Sequence, residues 1–216
     1  MSGLPGLRYL PILLQAAVVT VELSVVVVVL GTALGTVLAV LARLLGRPGG
    51  MVLAVYVYVL RGVPLLVLVF GAYFCLPVLV ADVSKTTAVV LAMTLYMAAF
   101  VAEITRGAMA GIPRGLTDAA RSLGMPPMLA LRRVVLPLAA RSAVPPLVNR
   151  TVMTIKGTSL ASVIGLWELS LAGREIIQRD LVPFQVFGLI ALIYFLLCVS
   201  VARLGARLER RFAYEH

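Results

Sequence analysis

Apolar residues in this chain fall into long runs parted by short polar breaks. Crossing a bilayer as a helix takes about 20 predominantly apolar residues. Five stretches meet that length, at roughly 15–41, 51–76, 86–110, 136–164 and 182–204. The first, rich in valine, reads as a lipid-facing helix that ends at Arg43 and Arg47. The sequence Arg47-Pro48-Gly49-Gly50 then predicts a loop. The second run is interrupted by Arg61-Gly62-Val63-Pro64, where proline removes a backbone donor and predicts a kink or break. A polar, basic stretch over 111–133 follows the third run. The fourth is unusually rich in Pro, Asn, Lys, Thr and Ser, and a polar outer loop over 167–180 is expected before the fifth. The pattern predicts an all-α integral membrane protein of five transmembrane helices, one domain over residues 1–216. The first apolar stretch, 11–42, far exceeds the 7–15 residues of a cleaved signal core and is expected to stay in the membrane.

Composition agrees. Apolar residues make up 62% and charged residues 13%, against about 45–50% and 25% in soluble domains. The net charge is +10, from 19 Lys and Arg against nine acids. The arginines stand at the ends of apolar runs, which speaks for membrane topology and against nucleic-acid binding. One side collects Arg43, Arg47, Arg106, Arg114, Arg121, Arg132, Arg133, Arg141, Arg203, Arg207, Arg210 and Arg211; the other only Arg8, Lys85, Arg174 and Arg179. The rule that cytoplasmic loops are basic puts the first group in the cytoplasm, the N-terminus outside and the C-terminus inside. Cys75 and Cys198 form no CxxC pair, and the single histidine is His216. Neither a metal site nor histidine-based catalysis is expected, and a membrane enzyme lacks the side-chain cluster it would need. No GxxxxGK[ST] phosphate loop is present.

Within the cytoplasmic stretch, residues 115–124 read as a short helix capped by Thr117, with Asp118 near the positive end of its dipole. Gly124 stops it, and Pro126-Pro127 prevent continuation. Leu116, Ala119, Ala120 and Leu123 share one face, and a second amphipathic piece carries Met128, Leu131, Val135 and Leu138 up to Leu136-Pro137. Such a segment either lies on the lipid surface or docks a cytoplasmic partner and transmits its motion.

Ionisable groups inside spans are costly and usually face a cavity or a partner. The candidates are Glu22, Arg61, Glu103, Arg150 and Lys156. Glu103 and Arg106, one turn apart, read as an interfacial ion pair or as part of a gate. Lys156 with Thr158 and Ser159 reads as pathway lining or as inter-helix hydrogen bonding. Glu168, Arg174, Glu175, Arg179 and Asp180 read as a solvated outer loop or as a docking surface for an extracytoplasmic protein.

Several blocks resemble the permeases of bacterial ATP-binding-cassette importers. Asp118-Ala119-Ala120, then Gly124, then Leu136-Pro137 is similar to the family's coupling loop. Arg61-Gly62-Val63-Pro64-Leu65, Tyr73-Phe74-Cys75-Leu76-Pro77, Ala102-Glu103-Ile104-Thr105-Arg106-Gly107 and Lys156-Gly157-Thr158-Ser159-Leu160 resemble blocks of the polar amino acid branch, which takes up histidine, glutamine, glutamate, arginine or opine-type solutes. Departures are Gly157 for the usual Asp or Asn, Val63 for Thr, and Leu116 and Leu138 for Gln. The resemblance implies a type I importer permease fold with a cytoplasmic coupling loop over 113–137 between the third and fourth helices. It implies that Asp118, Ala119, Ala120, Leu123 and Gly124 couple to the ATPase. Glu103, Lys156, Gly157, Thr158, Ser159 and Arg61 are expected along the translocation pathway. The implied setting is a bacterial inner membrane with its lipid. The implied partners are ATP-binding-cassette ATPase subunits that bind the ATP, a second permease subunit (identical or paralogous) and an extracytoplasmic solute-binding protein. No cofactor is expected in this chain. The competing reading is an ion-coupled secondary transporter or a channel subunit.

Overall fold

The computed structural model describes residues 7–80 and 83–212, so His216 lies outside it. Regular structure among the described residues is helical throughout. A 35-residue helix α1, Leu10–Leu44, is about 50 Å long at 1.5 Å per residue. It lies against α4, Lys85–Ala110, and α9, Pro183–Phe212, completes the set of single helices among the described residues that are long and apolar enough to cross a membrane. Helices α2, Gly46–Gly62, and α3, Leu65–Leu79, are together long and apolar enough for one further crossing, as a pair bent by 97°. Helix α7, Leu136–Gly157, has 22 residues, and its Pro, Asn, Arg and Lys make it more polar than the helices above.

The bend falls where proline predicted it. Pro64 disfavours helical geometry in the residue before it, and Val63 is extended at φ −96°, ψ 133°. The expected loop over 47–50 is not a loop. The chain reverses at Leu45 and Gly46, whose φ of 66° suits glycine. Arg47-Pro48-Gly49-Gly50 then forms the first turn of α2, where proline's missing N–H costs nothing. Ser84 begins α4 by accepting the Thr87 N–H at 3.1 Å. The expected outer loop is also folded: residues 169–180 form helix α8, Leu169–Asp180, which buries Leu169, Ala172, Gly173 and Ile176 at helical spacing.

Three apolar clusters succeed one another along α1. Leu13 and Ala17 pack with Leu169, Ile176, Val186 and Ile190 at one end. Leu23 and Val27 meet Val69, Val89, Met93 and Met97 in the middle. Ala39 and Ala42 meet Leu53, Ala102, Met109 and Val135 at the other end. Between the last two, α1 and α4 come closest: a Cβ placed on Gly35 would stand 2.5 Å from the Ala98 carbonyl oxygen, and one on Gly31 2.8 Å from Met97 Cβ. Small residues spaced by four let membrane helices approach this closely.

Candidate functional site

Helix α5, Arg114–Ser122, is the segment expected to meet a partner. It starts three residues before Thr117, after Pro113. Thr117 therefore does not cap it; its hydroxyl donates to the Arg114 carbonyl at 2.7 Å. Asp118 accordingly lies in the second turn and faces Arg121 at 3.7 Å, both exposed, a pairing worth little in water. The expected stop is present. Gly124 has φ 75°, its N–H donates to the Arg121 carbonyl at 2.9 Å, and the Met125 N–H donates to Ala120 at 3.1 Å. These are the two bonds of a Schellman ending. On the apolar stripe only Ala120 is buried; Leu116 is 44% and Leu123 78% exposed, and Ala119 is exposed too. Much of the stripe thus has no cover among the described residues.

The chain then returns through α6, Pro127–Ala130, and a π-helical turn, Leu131–Val135, straight into α7. Of the second predicted stripe, Leu131 and Val135 are buried in the cluster with Ala39 and Ala42, while Met128 is 56% exposed. Residues 127–157 therefore form one helical rod that joins α5 to the interior of the bundle.

Two of the expected pathway residues meet on α4. The Arg61 guanidinium carbon, at the end of α2, lies 4.7 Å from the Phe100 ring centroid. The Arg150 guanidinium carbon, on α7, lies 3.7 Å from the same centroid and 4.9 Å from that of Tyr96. Glu103, one turn beyond Phe100, accepts hydrogen bonds from Arg106, one of them from Nε at 3.3 Å. Arg150 thus joins Arg61 and Glu103 in one polar region.

Lys156, Gly157, Thr158 and Ser159 stand in different surroundings. Lys156 is exposed. A Cβ on Gly157 would stand 3.3 Å from Leu65 Cδ2, so this residue touches α3. Thr158 is fully buried and returns its hydroxyl to the Ile155 carbonyl at 2.7 Å. The Ser159 hydroxyl donates to the Lys156 carbonyl at 2.7 Å. These two hydroxyls complete the end of α7, where helical carbonyls lack partners.

Glu168 departs from its expected place in solvent. It is fully buried and begins α8 by accepting the Ser170 and Leu171 N–H groups at 2.9 and 3.0 Å. The Tyr194 hydroxyl donates to it at 3.1 Å, and Thr20, 3.4 Å away, accepts the Leu169 N–H. Burial pushes its carboxyl pKa up, against the downward pull of these hydrogen bonds. At the far end of α8, Asp180 accepts from the Tyr9 hydroxyl at 2.7 Å and from Arg179 Nε at 3.0 Å. Those contacts hold its carboxyl below the ordinary value. The Arg174 guanidinium donates to the Ser162 carbonyl at 2.7 Å. This segment is fastened at both ends and in the middle.

A helical membrane protein with a sharply bent helix pair, a polar face among its long helices and an uncovered helix between them has the features of a transport subunit that works with other chains. The chain belongs to the family of binding-protein-dependent transport system inner membrane components, whose pattern matches residues 31–214. It is 36% identical over 208 residues to the glutamine transport system permease protein GlnP of Escherichia coli (strain K12), covering 94% of this chain and 93% of that one. It is 33% identical over 202 residues to the L-cystine transport system permease protein TcyB of Bacillus subtilis (strain 168), covering 93% and 86%. A crystal structure of an amino acid ABC transporter with histidines matches it with a TM-score of 0.89 at 30% identity, over 98% of this chain and 99% of that one. An inward-facing structure of the MetNI methionine ABC transporter shares the fold, with a TM-score of 0.80 at 21% identity over 99% and 100% of the two chains. The fold is that of a type I importer permease. The chain is a multi-pass membrane permease with no cofactor of its own, and ATP hydrolysis belongs to a separate subunit. The family works with an ATPase and a substrate-binding protein. It favours the ATP-driven importer over the ion-coupled transporter or channel.

Proposed function

We propose that this chain and a second permease subunit, identical or paralogous, form the translocation pathway for a polar amino acid or similar small polar solute. The ATPase partner binds the ATP, and an extracytoplasmic binding protein delivers the solute. Five crossings, with α7 as the fourth, leave the N-terminus outside and the C-terminus in the cytoplasm, in keeping with the arginine distribution. Arg61, Glu103, Lys156, Gly157, Thr158 and Ser159 belong to the pathway or its walls, and Asp118, Ala119, Ala120, Leu123 and Gly124 couple it to the ATPase. The relatives named for glutamine and for cystine support the solute class.

The observation that carries this reading is the uncovered stripe of α5, with Leu123 78% exposed next to small alanines on a helix with a defined end. The test is Ala119→Arg, which adds a bulky charge to an exposed position. The tagged wild-type chain, purified from its own membranes in mild detergent, should bring an ATPase with it. The variant should lose the ATPase and keep its melting temperature. A chain that purifies alone, or an ATPase indifferent to the change, would overturn the proposal.

A further inference from the structure

We infer that Arg61 and Arg150, held on Phe100, form a carboxylate-binding pair in the translocation pathway, specific for the invariant acid end of the solute and not for its side chain. The inference rests on the reading above that this face lines the pathway.

The first step is charge balance. Cations within a span are costly unless an anion or a water-filled cavity accompanies them. The nearby acid, Glu103, is already engaged by Arg106. Neither Arg61 nor Arg150 makes an ion pair among the described residues. Two guanidinium groups on one ring therefore leave an uncompensated positive region. Arg61 is 15 residues into α2, about 22 Å along the helix at 1.5 Å per residue, and its side chain is exposed on the open face of the bundle.

The second step is geometry. Stacking on an aromatic face fixes the plane of a guanidinium and leaves its N–H edges free to bind. Arg150 lies within 5 Å of both the Tyr96 and Phe100 centroids, so its orientation is set before any ligand arrives. Its Nε is buried without a hydrogen-bond partner, a donor position that costs free energy until an acceptor meets it. Two planar forks of donors match the two oxygens of a carboxylate.

The third step is chemistry. Amino acids differ in side chain and share the α-carboxylate. A site made of two arginines and two aromatic rings reads the shared group and leaves discrimination among side chains to other residues or to the binding protein.

The test is equilibrium binding of labelled L-amino acids, the twenty standard ones in turn, to the purified permease–ATPase complex without binding protein. The tightest binder is then compared with its α-carboxamide. The amide should bind at least about tenfold more weakly to the wild type. Arg61→Gln and Arg150→Gln should each weaken the acid by about tenfold and leave the amide nearly unchanged, closing a cycle between ligand and protein. Arg150→Lys, which keeps the charge without the fork, should fall between. Arginines that merely hold helices together would weaken acid and amide alike, and that result overturns the inference. So does a wild-type complex that binds none of the twenty. In either case a co-purifying, active ATPase would leave the importer reading standing.

Discussion

Gly35→Ala tests how tightly the bundle is joined. A methyl at this position meets backbone and a β-carbon fixed to it: 2.5 Å to the Ala98 carbonyl oxygen, 2.9 Å to the Ala102 nitrogen and 2.7 Å to Val101 Cβ. Non-bonded carbon atoms prefer about 3.5–4.0 Å, and neither helix backbone can rotate aside as a side chain would. Helix α1 must therefore back away from α4 by about 1 Å, and gaps of that size forfeit a quarter to a half of each dispersion contact they open. Overpacking of this kind costs about 1–3 kcal/mol. For a chain of this length each kcal/mol lowers the melting temperature by about 2–4 °C. The assay is thermal unfolding in detergent, read by loss of the monodisperse peak after heating. Gly50→Ala is the control, because nothing stands within 4 Å of a Cβ there and alanine favours a helix over glycine by up to about 1 kcal/mol. A Gly35→Ala variant that melts with or above the control would refute the close crossing of α1 and α4.

Two further outcomes are expected from groups outside the spans. Burial raises the native pKa of Glu168 above its unfolded value, so the native state holds the proton more tightly. The stability this group contributes is full below the ordinary glutamate value of about 4.3 and is lost as pH rises through the raised native value. Glu168→Gln, neutral throughout, should flatten the melting-temperature profile from pH about 4 upward, and parallel profiles would count against the burial. Gly124→Ala forces an L-residue into φ 75° and should cost about 1–2 kcal/mol, seen as faster amide exchange at the end of α5. Unchanged exchange would mean that the Schellman ending does not hold that helix in solution.

What could be read from the sequence was whatever acts locally. The break at Arg61-Gly62-Val63-Pro64 was legible because proline restricts the residue before it, and the end of α5 because few residues besides glycine accept a left-handed φ. The close crossing at Gly31 and Gly35 was hidden inside a valine-rich run. In a membrane both lipid and protein are apolar, so polarity no longer marks the packed face, and only the four-residue spacing of small residues carries the signal. Helix α8 was missed for a different reason. Charge at 168, 174, 175, 179 and 180 suggested solvent, yet Leu169, Ala172, Gly173 and Ile176 follow helical spacing and report a buried stripe. The burial of Glu168 itself had no local signal, because its partners Thr20 and Tyr194 come from α1 and α9.

The two halves of the candidate site are joined by the rod over 127–157, and its chemistry says where it yields. Leu131 and Val135 anchor its π-helical turn in the cluster with Ala39 and Ala42. Pro145 and Pro146 sit inside α7, so the carbonyls of Arg141 and Ser142 receive no backbone hydrogen bond from the residues four positions on. A helix missing two consecutive bonds bends more easily there than elsewhere. Arg150 lies just beyond, where its stacking on Phe100 ties α7 to α4. On the proposed function, displacement of α5 by the ATPase would travel along the rod and bend it at the prolines. Its first effect would be to shift Arg150 relative to Phe100. One of the two groups that would hold the solute's carboxylate thus lies on the element that a motion of the coupling helix would move, while Arg61, on α2, does not.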